Sequence, residues 1–225
     1  MHFLEELLLP FLGLKVCFQN WLWERGVKKK YYVNKGFAQQ DSSLFFQNRS
    51  MSPYLISKVF MQKKGEKQSH VYGETPLYLY DKMANRWGLK KADCFVELGC
   101  GRGRGLFFLS RFYGCQCIGL EWIPQFVEKA QVVISACNIT DVTIYLEDFV
   151  TSKHIEGDFI YLYGCLMEDK EIVKLCNKLA VGSKHCKIIT VSFSLQEYHE
   201  QFIIKDQFEA RFPWGIGTVF LNQQR

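Results

Sequence analysis

Four glycines on alternate positions, Gly99, Gly101, Gly103 and Gly105, separate a short apolar run from a helical pattern. Cys94, Phe95 and Val96 precede them with strand character, and Leu106, Phe107, Phe108, Leu109 and Phe112 follow at helical spacing. The segment therefore reads as a strand-to-helix turn. Glycine lets the backbone approach a ligand closely there. The helix beyond it aims free N–H groups and its positive dipole end at the same spot. This is the signature of a cofactor loop.

The chain on either side supports a layered α/β fold. Thr75 and Pro76 read as the N-cap and first turn of a helix carrying Leu77, Tyr80, Met83, Ala84 and Trp87 and ending at Gly88. Strands are predicted at 94–98, 117–121, 142–146, 158–163 and 186–193, with helices to about 112, from Pro124 to about 137, and over 168–179. That alternation predicts a mostly parallel sheet with helices on both faces. Two last strands, 199–212 and 217–223, have no long helix between them and are predicted to pair antiparallel at the far edge. Residues 1–70 read as a helical cap or arm, with a helix from Ser52-Pro53 through Met61, and the domain proper as 71–225. The polar stretch 63–69 marks the boundary.

Bulk properties exclude more than they select. Phe3, Leu4, Leu7, Leu8, Leu9, Phe11 and Leu12 give an apolar opening, but Glu5 and Glu6 stand where a secretory signal is basic, and Pro10 and Gly13 break the helix. The run is too short and too charged to span a bilayer. Trp21, Trp23 and the basic residues from Arg25 to Lys30 suit peripheral contact with a membrane surface; an arm packed on the domain is the preferred reading. The nine cysteines lack metal-type spacing, so they read as reduced thiols of a cytoplasmic protein with no metal. A net charge of +5 constrains partners little, and Arg102 and Arg104 read as solvated charges.

The loop's spacing discriminates among ligands. A phosphate-binding P-loop needs Lys followed by Ser or Thr, and neither is present. The dinucleotide fingerprint needs a third glycine where Arg104 or Leu106 stands. What remains is an acid followed by alternate glycines, Glu97-x-Gly99-x-Gly101-x-Gly103. This pattern resembles motif I of class I S-adenosyl-L-methionine-dependent methyltransferases. The resemblance implies a Rossmann-like seven-stranded sheet, Glu97 near the ammonium of the cofactor's methionine end, and S-adenosyl-L-homocysteine as product. It also implies Glu121, at the end of the second strand, on the ribose hydroxyls, with Asp148 and Phe149 at the adenine.

Upstream, Val71-Tyr72-Gly73-Glu74-Thr75 is similar to the loop of Dot-type (disruptor of telomeric silencing) histone-lysine methyltransferases that folds over the methionine end. That resemblance implies cofactor contacts for Glu74 and Thr75, with Tyr72 closing the pocket, and reaches faintly to Trp214. It covers roughly 71–220. One departure matters. Where that family has an Asn pair with nearby Phe residues shaping the acceptor channel, this chain has Tyr161-Leu162-Tyr163-Gly164-Cys165-Leu166. The expectation is a protein-lysine N-methyltransferase whose site wall is Tyr163, Tyr161 and Trp214. RNA or a small molecule is the alternative acceptor, so nucleic acid stays open as a partner. A cofactor-binding regulatory protein without transfer activity is a further alternative. No Asn/Asp-Pro-Pro-aromatic or Pro-Cys motif of base methylation occurs.

Overall fold

The computed structural model describes residues 21–65, 72–164, 167–182 and 184–225. The apolar opening, residues 66–69, Val71, Cys165 and Leu166 lie outside the described residues. Seven strands form one sheet: β1 Cys94–Leu98, β2 Gln116–Glu121, β3 Val142–Leu146, β4 Phe159–Leu162, β5 Lys187–Val191, β6 Phe202–Phe212 and β7 Gly215–Gln224. Their order is β3-β2-β1-β4-β5-β7-β6. The pairs among β1 to β5 are parallel, and β7 runs antiparallel between β5 and β6. The chain steps outward from β1 to β3, then returns to build the other side from β4. That reversal opens a crevice at the carboxyl ends of β1 and β4.

Helices residues 21–31 (α1), α2 Lys35–Gln47, α3 Pro53–Lys64, α4 Leu77–Trp87, α5 Arg104–Tyr113, α6 Pro124–Ala136 and α7 Asp169–Val181 cover the sheet. β1 and β4 carry almost unbroken apolar runs because both faces are covered: Phe95, Tyr161 and Ile189 pack on one side, Val96, Ile160 and Ile188 on the other. The first of these cores also contains Val27, Tyr31, Phe37 and Leu44 of the N-terminal helices. Tyr31 and Phe37 meet Phe108 edge-on at centroid distances of 4.9 and 5.7 Å. Phe37 and Leu44 are fully buried, each contributing about 1.5–3 kcal/mol of apolar burial. Asn34 and Ser52 start α2 and α3 by accepting the N–H groups of Phe37 and Leu55.

Two expectations are corrected. Thr75 does not cap α4, which begins at Leu77 with Pro76 as its unbonded cap; its hydroxyl pairs with the Tyr161 hydroxyl at 2.5 Å. Arg102 and Arg104 are not solvated. Their side chains are 5% and 12% exposed, and both are ion-paired. Predicted strand ends also move: the last hairpin is Phe202–Phe212 with Gly215–Gln224, which leaves Trp214 in its turn.

Candidate active site

The crevice at the sheet's switch point holds a cavity of about 310 Å³, a size usual for small-molecule sites. β1 supplies Glu97, which is 5% exposed. The Tyr80 hydroxyl, presented by α4, donates to its Oε1 at 2.5 Å. Its Oε2 is buried with no partner among the described residues. Burial pushes the Glu97 carboxyl up to about 8, against the pull of the Tyr80 hydrogen bond and with help from the nearby Glu121 and Glu74 charges. A buried carboxylate oxygen without a donor costs free energy unless a cation or donor meets it.

The glycine loop then turns into α5. Gly101 sits at φ 55°, and a Cβ there would lie 3.1 Å from the Tyr72 hydroxyl. Gly103 sits at φ 74° as the N-cap of α5, and a Cβ would come within 2.6 Å of Ile144 Cδ1. Only glycine fits both the left-handed backbone and the space. The loop is fastened to β2 from two directions. Gly99 and Cys100 donate to the Leu120 carbonyl at 2.8 and 3.0 Å. Glu121, 6% exposed, accepts from Gly101 N at 2.7 Å through Oε2 and from Ile123 N at 2.7 Å through Oε1. Burial raises its carboxyl, and those N–H groups oppose the rise. Each carboxylate oxygen has a further lone pair, so Glu121 can hold the loop and still accept from a ligand.

Residues 72–75 form a strap across the loop. Tyr72 donates to Glu74 Oε1 at 2.7 Å, and Arg102 grips both oxygens of Glu74 through Nε at 2.5 Å and Nη2 at 2.6 Å. Burial alone would raise the Glu74 carboxyl; the Arg102 guanidinium overrides it and holds the group down at about 2. The Tyr72 ring packs on Tyr54 and Phe126, both at 5.3 Å. At the opposite rim, Phe149 lies across Gly99, and Asp148 accepts from Val150 N at 2.8 Å.

Tyr72, Glu74, Thr75, Glu97, Gly99 and Gly101 line the cavity together with Glu121, Asp148, Phe149 and Tyr163. Gly103, Tyr161 and Trp214 do not. Gly103 shapes the turn; Tyr161, 1% exposed, belongs to the core beneath Thr75. Trp214 stacks on Phe212 at 5.2 Å and donates its indole N–H to the Tyr163 hydroxyl, so it reaches the site through that ring. Tyr163 in turn packs against Gly73 of the strap. Tyr80, Arg102, Phe212, and Ser57 and Met61 of α3 were missed at the sequence level. Their only signal was proximity to other elements. A second groove, about 860 Å³, lies between the N-terminal helices and the strap and shares Tyr72, Glu74, Thr75, Arg102 and Arg104 with the first.

The cavity fits S-adenosyl-L-methionine. Glu97 lines it with a buried carboxyl whose Oε2 has no partner among the described residues, Gly99, Gly101 and Gly105 line it without side chains, and Phe149 lines the opposite rim. Removing the Glu121 carboxylate by Glu121→Ala is expected to weaken S-adenosyl-L-homocysteine binding by about 1–3 kcal/mol, or roughly 5- to 150-fold in calorimetry. Unchanged affinity would take Glu121 off the ligand.

Among the described residues, no cluster of His, Cys, Asp and Glu can hold a metal ion, and no helix is long and apolar enough to cross a membrane. The family model for histone methylation protein DOT1 matches residues 60–181, more than half of the 225-residue chain, including strap, loop, Glu121 and Asp148. No curated protein matches in sequence. Solved structures share the fold. An RNA methyltransferase from Salinibacter ruber, in complex with S-adenosyl-L-homocysteine, is 19% identical over 68% of this chain and 94% of that one, with a TM-score of 0.56. MtNAS in complex with MTA and tNA is 15% identical over 89% of this chain and 75% of that one, with a TM-score of 0.57. The B. subtilis tRNA methyltransferase TrmK is 12% identical over 69% of this chain and 67% of that one, with a TM-score of 0.54.

Proposed function

The chain belongs to the family of histone methylation protein DOT1, and from that premise we propose that it methylates the side-chain amine of a protein lysine. It is an S-adenosyl-L-methionine-dependent methyltransferase. The observation that carries the lysine reading is the family match across strap and loop together, because the strap is the part that borders both the cofactor cavity and the second groove.

The bound cofactor supplies an electrophilic methyl on a sulfonium. The protein's residues supply position and exclusion of water. Glu97 and the glycine loop hold the amino-acid end, Glu121 the ribose, and Asp148 with Phe149 the adenine. Tyr163, backed by Phe212 and Trp214, walls the approach beside Gly73. Removal from water behind this wall disfavours the ammonium form of an incoming lysine, so the amine arrives able to act as nucleophile. Catalysis then rests on holding amine and methyl in line. In this reading the helices of residues 21–65 act as a cap on the site, with Ser57 and Met61 in its wall.

A second reading, an RNA acceptor, draws support from two of the fold's relatives, an RNA and a tRNA methyltransferase, and from the exposed Arg25, Lys28, Lys29 and Lys30 of α1. Methyl-labelled S-adenosyl-L-methionine, incubated with the protein and either core histones, total protein extract or total RNA, separates the two. Label is expected in protein, stable to acid and recovered as methyl-lysine. Label confined to RNA would replace the lysine reading with the second one.

A further inference from the structure

The amino-acid end of S-adenosyl-L-methionine is a zwitterion, and a partly buried site must answer both of its charges. Glu97 answers the ammonium. Among the described lining residues, the only cations are Arg102 and Arg104, two positions apart on the same loop.

They are not equivalent. Arg104 is shared by two carboxylates: Nε and Nη2 donate to Asp41 at 2.7 and 2.8 Å, and Nη1 and Nη2 donate to Glu24 at 2.6 and 2.8 Å. Four of the five N–H groups of its fork are thereby used. Arg102 donates only through Nε and Nη2, both to Glu74, and Nη1 meets no partner among the described residues. Arg102 itself lines the cavity. The buried side-chain polar atoms without partners are Gln40 Oε1 and Glu97 Oε2, and no Arg102 atom is among them. The guanidinium is held edge-on by Glu74, whose Oε1 also accepts from the Tyr72 hydroxyl beside Gly101. Arg102 also lies 5.4 Å from the Phe45 ring, which fixes its plane.

We propose that Arg102 is the ligand of the carboxylate at the cofactor's amino-acid end, its Nη1 edge taking the anion while Glu74 retains the opposite edge. This rests on the placement of the amino-acid end between Glu97 and the glycine loop. Arg104 shows that a guanidinium in this loop can serve two carboxylates at once, and Arg102 would do the same with one supplied by the protein and one by the ligand. The role of Glu74 shifts accordingly. It orients Arg102 and need not touch the ligand's ammonium.

The test compares two ligands that differ in one group: S-adenosyl-L-homocysteine and its decarboxylated analogue, which keeps the ammonium. Calorimetry on the full chain is expected to show about 10- to 100-fold tighter binding of the carboxylate-bearing ligand, the usual worth of a charged hydrogen-bonded pair. Arg102→Met should abolish that preference while leaving the decarboxylated ligand's affinity within a few-fold. The double variant Arg102→Met with Glu74→Gln removes the stranded Glu74 charge and should behave the same way. Equal affinity of the wild type for both ligands overturns the proposal without any variant. So does an equal loss for both ligands in the double variant, which would make Arg102 purely a tether for the strap. If the wild type binds neither ligand, the cofactor placement falls and the proposal with it, an outcome distinct from lost discrimination.

Discussion

Replacing Arg104 by methionine is expected to cost about 3–5 kcal/mol of folding stability, the usual penalty for stranding one half of a buried ion pair. Asp41, on α2, has a side chain with no exposure, and Arg104 spans both of its oxygens. Without the guanidinium, that carboxylate keeps one hydrogen bond, from the Tyr32 hydroxyl at 2.9 Å. Glu24, a third exposed, can return to water and contributes little to the penalty. Urea titration of Arg104→Met should show a lower midpoint with little change in slope. The double variant Arg104→Met with Asp41→Leu should regain most of the loss, because an apolar pair needs no compensating charge. A loss below about 1 kcal/mol in the single variant would show that the pair does not hold the cap. Hydrogen exchange gives the location: amides of α1 and α2 should lose protection before those of β1 and β4. A cap held this way ties the N-terminal helices to the first residue of α5, so their docking and the loop's geometry rise and fall together.

These ties explain what could and could not be read from the chain. The strands β1 to β5 were legible because each is a short apolar run bounded by turn residues, and the loop was legible because its signal is its own glycine spacing. Glu121 was legible too, as an acid closing a strand beside the loop. Arg102 and Arg104 were not. Their carboxylates, Glu74, Asp41 and Glu24, lie 28, 63 and 80 positions away, and no local pattern distinguishes an arginine bound for such a partner from a solvated one. Thr75 before Pro76 looks like a cap by every local rule. Tertiary context overrode it: the Thr75 hydroxyl pairs with the Tyr161 hydroxyl on the covered face of β4. Tyr161 was misplaced for the same reason. Every residue of β4 is buried, so alternation carried no sign of which tyrosine faced the crevice.

Glu97 leads to the second large effect, a steep dependence of cofactor affinity on pH. Its carboxyl is raised to about 8 by burial, so in the ligand-free protein it is mostly protonated at neutral pH. Pairing with an ammonium requires the ionised form, and binding must then release a proton. Affinity for S-adenosyl-L-homocysteine should fall as pH drops below 8, approaching tenfold per unit, or about 50-fold between pH 8 and pH 6. Calorimetry in buffers of different ionisation enthalpy should count about one proton released per ligand near pH 7. Well above pH 8 the ligand's own amino group deprotonates and turns the profile over. Neighbouring groups do not mimic this slope. Glu74 is already ionised at about 2, Tyr80 is pushed far above its ordinary range by burial, and of the neighbouring carboxyls Glu121 is the one also displaced upward. Glu97→Gln separates the two acids: it should bind more weakly at pH 8 and show a flat profile from 6 to 8. The folding linkage runs in the opposite sense. A carboxyl raised on folding contributes stability that is complete below its unfolded value of 4.5 and is lost as pH climbs to about 8. The ligand-free protein should therefore become less stable over the same interval in which it binds better. Saturating ligand should erase that loss, because the cation that ionises Glu97 also offsets its buried charge. A wild-type affinity that is flat from pH 6 to 8 would remove Glu97 from the ammonium and leave its orphaned oxygen without a use.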